Sequence, residues 1–365
     1  MKSIAQQHRP DLILLGSVIV LVLFGLLMVY NASPVTSLRD FDDPLRLIKL
    51  QSIWVFIGLI IGTVVYKIPY TFWRKISPFL FVLALVLLLT VFVPGVGVKT
   101  YGAQRWLSFG FISIQPAEFA KLSFVLYLAA LLSKKIQLPY FLLSTTVIVA
   151  IVIAQKDLGT SIIITLIGLS IYFVSGAALS HFLILIPVVV SVVVLLIFSA
   201  EYRKARFLAF LNPTVDPEGI SYHIYQSLIA IGSGGIFGVG LGQSRQKYGF
   251  IPEVTTDSIF AVVGNELGFI GAVVLIGVFS VLIFRGIQIS KSAPDRFSQL
   301  VATGLTGWLG FQTFVNMSGL VALLPLAGVP LPFISYGGSS LIASLVAAAL
   351  LLNISRYTKN KLSGR

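Results

Sequence analysis

Long apolar runs alternate with short polar segments along almost the whole chain. A hydrocarbon core takes about 20 apolar residues per helix. On that measure the pattern predicts ten spans, at residues 12–30, 49–66, 76–94, 116–132, 139–155, 158–175, 181–199, 258–284, 298–324 and 335–354. The first run exceeds the roughly 7–15 apolar residues of a signal peptide and reads as a retained helix. QKDLG (155–159), between the fifth and sixth spans, is too polar for lipid and reads as a tight turn. One connection is far longer than the rest, residues 200–257 between spans seven and eight. Loops beyond about 12–15 residues are usually functional or disordered. This one carries aromatics, apolar stretches and glycine clusters, which argues for order. Tyr222 to Ile231 within it has the pattern of an amphipathic surface helix. The expectation is an all-α polytopic membrane protein, one domain over residues 1–365, with 200–257 as a large extracytoplasmic loop.

Composition agrees with the pattern. Hydrophobic residues make up 57% of the chain and charged residues 11%, against about 25% charged in soluble proteins. The net charge of +13 would suggest nucleic acid if it lay on a soluble face. Here the basic residues sit between spans, so they read as topology signals and as attraction to anionic membrane lipid. Ten spans place both termini on one side. With termini in the cytoplasm, fourteen basic residues fall inside: Lys2, Arg9, Lys67, Arg74, Lys75, Lys134, Lys135, Arg285, Lys291, Arg296, Arg356, Lys359, Lys361 and Arg365. The short outer segments hold six: Arg39, Arg46, Lys49, Lys99, Arg105 and Lys156. That bias supports cytoplasmic termini. The absence of cysteine excludes disulfides, a thiolate nucleophile and thiolate metal ligation. His8, His181 and His223 lie far apart and form no metal-ligand cluster in sequence.

The polar residues that remain gather on the outer side. In YGAQRWLSFGFISIQPAEFAKL (101–122), Arg105 and Trp106 suit a membrane surface, and Glu118 and Lys121 lie three apart on one helix face, close enough to pair. That pair either neutralises itself between helices or lines a wet cavity. Asp157 stands at a helix start and has the position of an N-cap. In the long loop, GSGGIFGVGLGQ (232–243) lacks the GK[ST] ending of a phosphate loop and follows no βαβ unit, so its glycines read as sites of close backbone approach. Arg206, Arg245 and Lys247 offer cations suited to a phosphate or diphosphate headgroup. TTDS (255–258), with Glu253 just upstream, reads first as an N-cap supplied by Thr255, Thr256 or Asp257, and a catalytic Asp257 is the lesser alternative from local spacing. Pro325, Pro330 and Pro332 preclude a continuous helix before the last span. There Ser335, Tyr336, Gly337, Gly338 and Ser339 present backbone N–H groups at a helix start, an anion-facing element.

Several of these segments together resemble the SEDS family (shape, elongation, division and sporulation), nearer its FtsW and SpoVE members than RodA. They are RW (105–106), QPAEFAKL (115–122), DLGT (157–160), QSLIAIGSGGIFGVGLGQSRQKYGFIPE (226–253), TDSIFAVVGNELGFIG (256–271) and PLPFISYGGSSL (330–341). The resemblance covers essentially all ten spans. It implies a peptidoglycan glycosyltransferase that polymerises lipid II at the outer face of the bacterial cytoplasmic membrane beside a class B penicillin-binding protein. It further implies that Asp257 is the essential carboxylate and that Glu118, Lys121 and Asp157 match residues tied to activity. In the expected chemistry Asp257 is the general base. Lys121, Arg206, Arg245, Lys247 and the 335–339 backbone, or a divalent cation such as magnesium or manganese, stabilise the leaving diphosphate, and Glu253 orients a cation or substrate. Where such families usually read HTDFIF and EELG, this chain has Thr255 in TTDSIF and Asn265 in NELG. A lipid II flippase and a non-catalytic scaffold are the competing expectations.

Overall fold

The computed structural model describes residues 8–100, 103–109, 112–134 and 137–358, and it is mostly helical. Lys2, Lys135, Lys359, Lys361 and Arg365 of the charge pattern lie outside the described residues. The chain opens with α1 (Leu12–Ala32), a short α2 (Pro34–Phe41), α3 (Arg46–Lys67) and α4 (Tyr70–Thr90). Strands β1 (Gly97–Thr100), β2 (Ala103–Phe109) and β3 (Ile112–Ile114) follow. Then come α5 (Pro116–Leu132), α6 (Leu138–Ala154), α7 (Leu158–Val174), α8 (Leu179–Phe198), α9 (Glu201–Leu211) and α10 (Tyr222–Ser233). The chain closes with α11 (Ile259–Lys291), α12 (Arg296–Leu320) and α13 (Gly338–Ser355). A helix occupies each of the ten predicted ranges. Six of the described helices, α1, α3, α4, α8, α11 and α13, are long and apolar enough to cross a membrane.

The strands depart from an all-α reading. They form one antiparallel sheet in the order β1-β2-β3, with Val98 opposite Trp106 and Leu107 opposite Ile114. Side chains alternate along a strand, so Ala103, Arg105 and Leu107 share a face. Ala103 and Leu107 are buried, and their burial turns Arg105 inward as well. The sequence treatment of this stretch as an outer loop overlooked that short period-two pattern.

The buried apolar residues form one continuous cluster built chiefly from α1, α5, α7, α11, α12 and α13. By contrast α8 buries none of its residues in the protein. At the end of the bundle where α1 begins, Asp11 caps that helix through the Ile13 and Leu14 N–H groups and pairs with Arg285 at 2.6 Å. Arg285 is therefore a packed partner of an acid.

The predicted eighth span is not one helix. At Gly268 the backbone turns to φ 65° and ψ −164°, which splits α11 in two. Such a break exposes carbonyls on one side and N–H groups on the other, and at membrane depth each needs a partner within the protein. The glycine-rich segment after α10 supplies them. Val239 and Gly240 N–H groups donate to the Asn265 and Glu266 carbonyls at 3.0 Å each, and the Phe269 and Ile270 N–H groups donate to Gly235 and Ile236 at 2.9 and 3.1 Å. Gly238 (φ 81°) and Gly268 both lack the room for a Cβ, because each faces backbone of the other segment. The close-approach reading of 232–243 thus holds.

A methyl group at either glycine forces both an unfavourable left-handed residue, about 1–2 kcal/mol, and an overpacked backbone contact, about 1–3 kcal/mol. Gly238→Ala and Gly268→Ala are each expected to lower stability by roughly 2–5 kcal/mol. Thermal unfolding in detergent reads this; an unchanged melting temperature for both contradicts the plugged-helix account.

Candidate active site

Glu253 adopts φ 49° and lets the chain turn so that its carbonyl accepts the Thr256 and Ser258 N–H groups, both at 3.1 Å. The turn brings Asp257 to the head of α11. Ser258, not Asp257, takes the N-cap position, and no side chain in TTDS caps the helix. This corrects the capping alternative. Among the described residues the Asp257 carboxylate has no hydrogen-bond partner, and it opens on a cavity of about 1040 Å³. Helices α5, α7, α11 and α13 all start at this cavity, whose wall includes Gln115, Thr160, Asp257 and Gly337. Its cations are Arg46, Arg105, Lys156 and Arg206.

The backbone that carries Asp257 is gripped from behind. Asn316 Nδ2 donates to the Asp257 and Val329 carbonyls, both at 2.8 Å. One turn earlier on α12, Gln312 Nε2 donates to the Pro330 carbonyl at 2.8 Å. The Tyr336 N–H donates to Thr255 O at 2.8 Å, and the Ser335 hydroxyl donates to Thr256 O while it accepts the Leu331 N–H. The proline-rich stretch 321–337 and the Asp257 turn are therefore one assembly. Gly328, at φ 63°, keeps the space over the acid open: a Cβ there would lie 3.4 Å from Asp257 Oδ2 and 3.6 Å from Arg206 Nη1.

The sequence-selected residues fall into three places. Asp257, Glu253, Arg105, Arg206, Tyr336, Gly337 and Gly338 line the cavity. Five others lie behind its wall. Glu118 and Lys121 are buried and paired at 2.8 Å, and Lys121 Nζ donates to Gln312 Oε1 at 2.6 Å under the Trp308 ring. Their link to the cavity runs through Gln312, which corrects the expectation that they meet substrate themselves. Asp157 caps α7 through the Thr160 N–H at 3.1 Å and faces Arg105 Nε at 3.7 Å. Ser335 is occupied as above, and Ser339 Oγ accepts the Gln115 N–H at 3.0 Å. The third place is away from the cavity. Lys247 is buried against Glu266 at 3.0 Å, with Asn31 Oδ1 at 2.7 Å. Glu266, fully enclosed, also accepts the Gly242 N–H at 3.0 Å, so this pair anchors the glycine segment to α1 and α11. Arg245 is exposed outside the cavity wall.

Sequence reasoning missed Arg46, Lys156, His223, Gly328, Gln312 and Asn316. The last two carried a legible signal, since two carboxamides four apart in an apolar helix share one face. The two motif departures have local roles: Thr255 supplies a carbonyl to Tyr336, and Asn265 Nδ2 donates to Ala230 O and Ser233 Oγ at 2.9 and 2.8 Å.

Burial pushes the Asp257 carboxyl up to about 7, the neighbouring Glu253 charge pushes the same way, and Arg206 and Arg105 partly offset both. Burial, with help from Arg206, pushes His223 down to about 4. A carboxyl of this kind exchanges protons near neutral pH, which is what a general acid or base requires. Among the described residues no group of three or more His, Cys, Asp or Glu could hold a metal. Asp257 and Glu253 are the carboxylates on this wall that a cation entering with a phosphate ligand would meet.

Residues 11–360 match the family described as "Cell cycle protein", FTSW_RODA_SPOVE. The chain is 41% identical to "Stage V sporulation protein E" of Bacillus subtilis strain 168, over 97% of this chain and 99% of that protein. It is 38% identical to "Probable peptidoglycan glycosyltransferase FtsW" of Geobacter metallireducens, over 98% of this chain and 97% of that protein. Among solved structures, a chain from work on "Structural coordination of polymerization and crosslinking by a peptidoglycan synthase complex" superposes with a TM-score of 0.79 at 27% identity, covering 95% of this chain and 98% of that one.

Removing one member of a buried ion pair strands the other and costs about 3–5 kcal/mol, whereas replacing both with apolar groups of similar volume costs far less. Glu118→Leu is therefore expected to destabilise the protein more than Glu118→Leu combined with Lys121→Met. Detergent melts of both variants decide; a double variant less stable than the single one contradicts the buried-pair assignment.

Proposed function

The chain belongs to the FtsW, RodA and SpoVE family, and on that premise we propose that it is a peptidoglycan glycosyltransferase that polymerises lipid II. The observation that carries the reading is Asp257, a carboxyl free of hydrogen-bond partners among the described residues, held near a pKa of about 7 on the wall of a cation-lined cavity. The protein is a multi-pass membrane protein. We place ten spans across the bacterial cytoplasmic membrane with both termini inside, so that the cavity and the 200–257 loop face outward.

Lipid II carries its disaccharide-peptide on a polyprenyl diphosphate. Polymerisation joins a hydroxyl oxygen of one saccharide to the anomeric carbon of another. The bond from that carbon to the diphosphate oxygen breaks, and the diphosphate leaves with the electron pair. A sugar hydroxyl is a poor nucleophile at neutral pH, and Asp257 in its ionised form takes the proton as the bond forms. Arg206, beside Asp257, and Arg105 and Lys156 on the same wall stabilise the negative charge that develops on the leaving group. The backbone N–H groups at the start of α13 add to this, since a helix N-terminus favours anions. Attack opposite the leaving group inverts the anomeric centre. A magnesium or manganese ion entering with the diphosphate would be held on the protein side by Glu253 and would supply further neutralisation. The prenyl tail stays among the helices. Because the similar solved chain comes from a complex that couples polymerisation to crosslinking, we assign the crosslinking partner to the class B penicillin-binding proteins.

Loss of a general base typically costs 10²–10⁴-fold in rate. Asp257→Asn is expected to lower polymerisation by at least about 10²-fold while the protein still folds. Reconstituted protein supplied with lipid II, with and without its partner, decides this. Full activity in the variant removes Asp257 from the role. For the unsubstituted protein, translocation without glycan points to a flippase, and neither activity points to a scaffold.

A second expectation follows from the charges around the acid. Asp257 works only when ionised, so kcat/KM falls as pH drops through about 7. Glu253→Gln removes a repelling charge and moves that limb to lower pH; Arg206→Gln removes an attracting one and moves it higher. A pH–rate series reads both shifts, and limbs that stay put in both variants contradict Asp257 as the titrating group.

A further inference from the structure

His223 sits on α10, at the edge of the cavity wall that holds Asp257. Its Nε2 lies 2.6 Å from Ser258 Oγ. The Ser258 hydroxyl has one proton, and it is spent on the Pro252 carbonyl at 2.8 Å. Ser258 Oγ can then only accept from the histidine, so the ring carries its proton on Nε2. Nδ1 is left as a bare acceptor. It has no partner among the described residues, and it is not one of the sealed polar atoms. The neutral ring is consistent with its burial and with Arg206 close by, both of which disfavour the imidazolium.

A neutral acceptor on the same wall as the Asp257 carboxyl differs in kind from the cations there, which suit phosphate. It matches the donors that a saccharide presents, hydroxyl and acetamido N–H groups. We propose that His223 is a positioning and specificity residue whose Nδ1 accepts a hydrogen bond from the saccharide headgroup and orients it against Asp257. The proposal rests on the glycosyltransferase reading of the cavity. Thr255, which stands where related motifs carry histidine, is buried and contributes its backbone carbonyl instead, so His223 is the imidazole on this wall.

Two substitutions divide the two nitrogens. His223→Gln places an amide N–H where Nε2 was and keeps the Ser258 bond, but it removes the acceptor at Nδ1. His223→Asn places a carbonyl oxygen at the Nδ1 position and gives up the reach to Ser258. A hydrogen bond of this type contributes about 0.5–1.5 kcal/mol net, equivalent to roughly 2–13-fold in affinity. Binding of lipid II to the purified protein in detergent, and KM and kcat for its polymerisation, are measured for both variants and for Ser258→Ala, with melting temperatures alongside. The expected result is binding weakened about tenfold and KM raised in His223→Gln, with both recovered in His223→Asn. Unchanged binding in His223→Gln, or weakening confined to His223→Asn and Ser258→Ala, overturns the proposal and leaves the ring a structural brace. The binding arm keeps the two claims apart: if the unsubstituted protein binds lipid II without polymerising it, the glycosyltransferase reading fails while the Gln and Asn comparison still decides the histidine.

Discussion

Backbone that leaves the helical path inside a membrane must find every hydrogen bond within the protein, because hydrocarbon offers none. Two such segments pack against α11 in this molecule, one at its break and one at its head, where the site lies. Residues 232–243 fill the break in α11 at Gly268. Residues 321–337 are held by Gln312 and Asn316 from α12 and by backbone bonds to the Asp257 turn. The first segment sets where the half-helix behind Asp257 ends, and the second sets what stands over the acid. Neither would be stable alone at that depth.

Through this arrangement, charged residues outside the cavity support the backbone around it. The Glu118–Lys121 pair is sealed between helices, yet Lys121 and Trp308 both donate to Gln312 Oε1, which orients the amide so that its nitrogen donates to Pro330 O. Lys247 and Glu266 do the equivalent work for the glycine segment, with Asn31 of α1 as the third member. Buried pairs of this sort cost desolvation on both partners and are weak evidence for stability. Their value here is geometric, since each fixes a stretch of irregular backbone packed against α11 or α12.

Much of the architecture was legible in the sequence because lipid imposes a simple rule, and a run such as 12–30 or 335–354 has few other ways to satisfy its backbone. Glycines clustered at 232–243 and prolines at 325, 330 and 332 also announced irregular backbone. What they pack against was not legible, because Val239 and Asn265 are brought together by tertiary contact. The β2 strand was missed because a seven-residue strand gives a faint period beside runs of twenty. The site was half legible: Asp257 and Arg206 stood out as charges at membrane edges, whereas Arg46 looked like one more outer cation. Lys247 misled for the same reason, since charge in a loop does not reveal whether it faces solvent or a buried carboxylate such as Glu266. His223 was passed over as a lone histidine, and its tautomer depends on Ser258, 35 residues further on, and through it on Pro252.

Everything in the functional account assumes that Asp257 meets the attacking saccharide. The most direct measurement is a structure of the protein with a lipid-linked disaccharide diphosphate bound. The account predicts a saccharide hydroxyl within about 3.2 Å of an Asp257 carboxylate oxygen and the diphosphate against Arg206, Arg105 or the start of α13. A headgroup seated elsewhere, with Asp257 left facing solvent or closed off by protein, would contradict it.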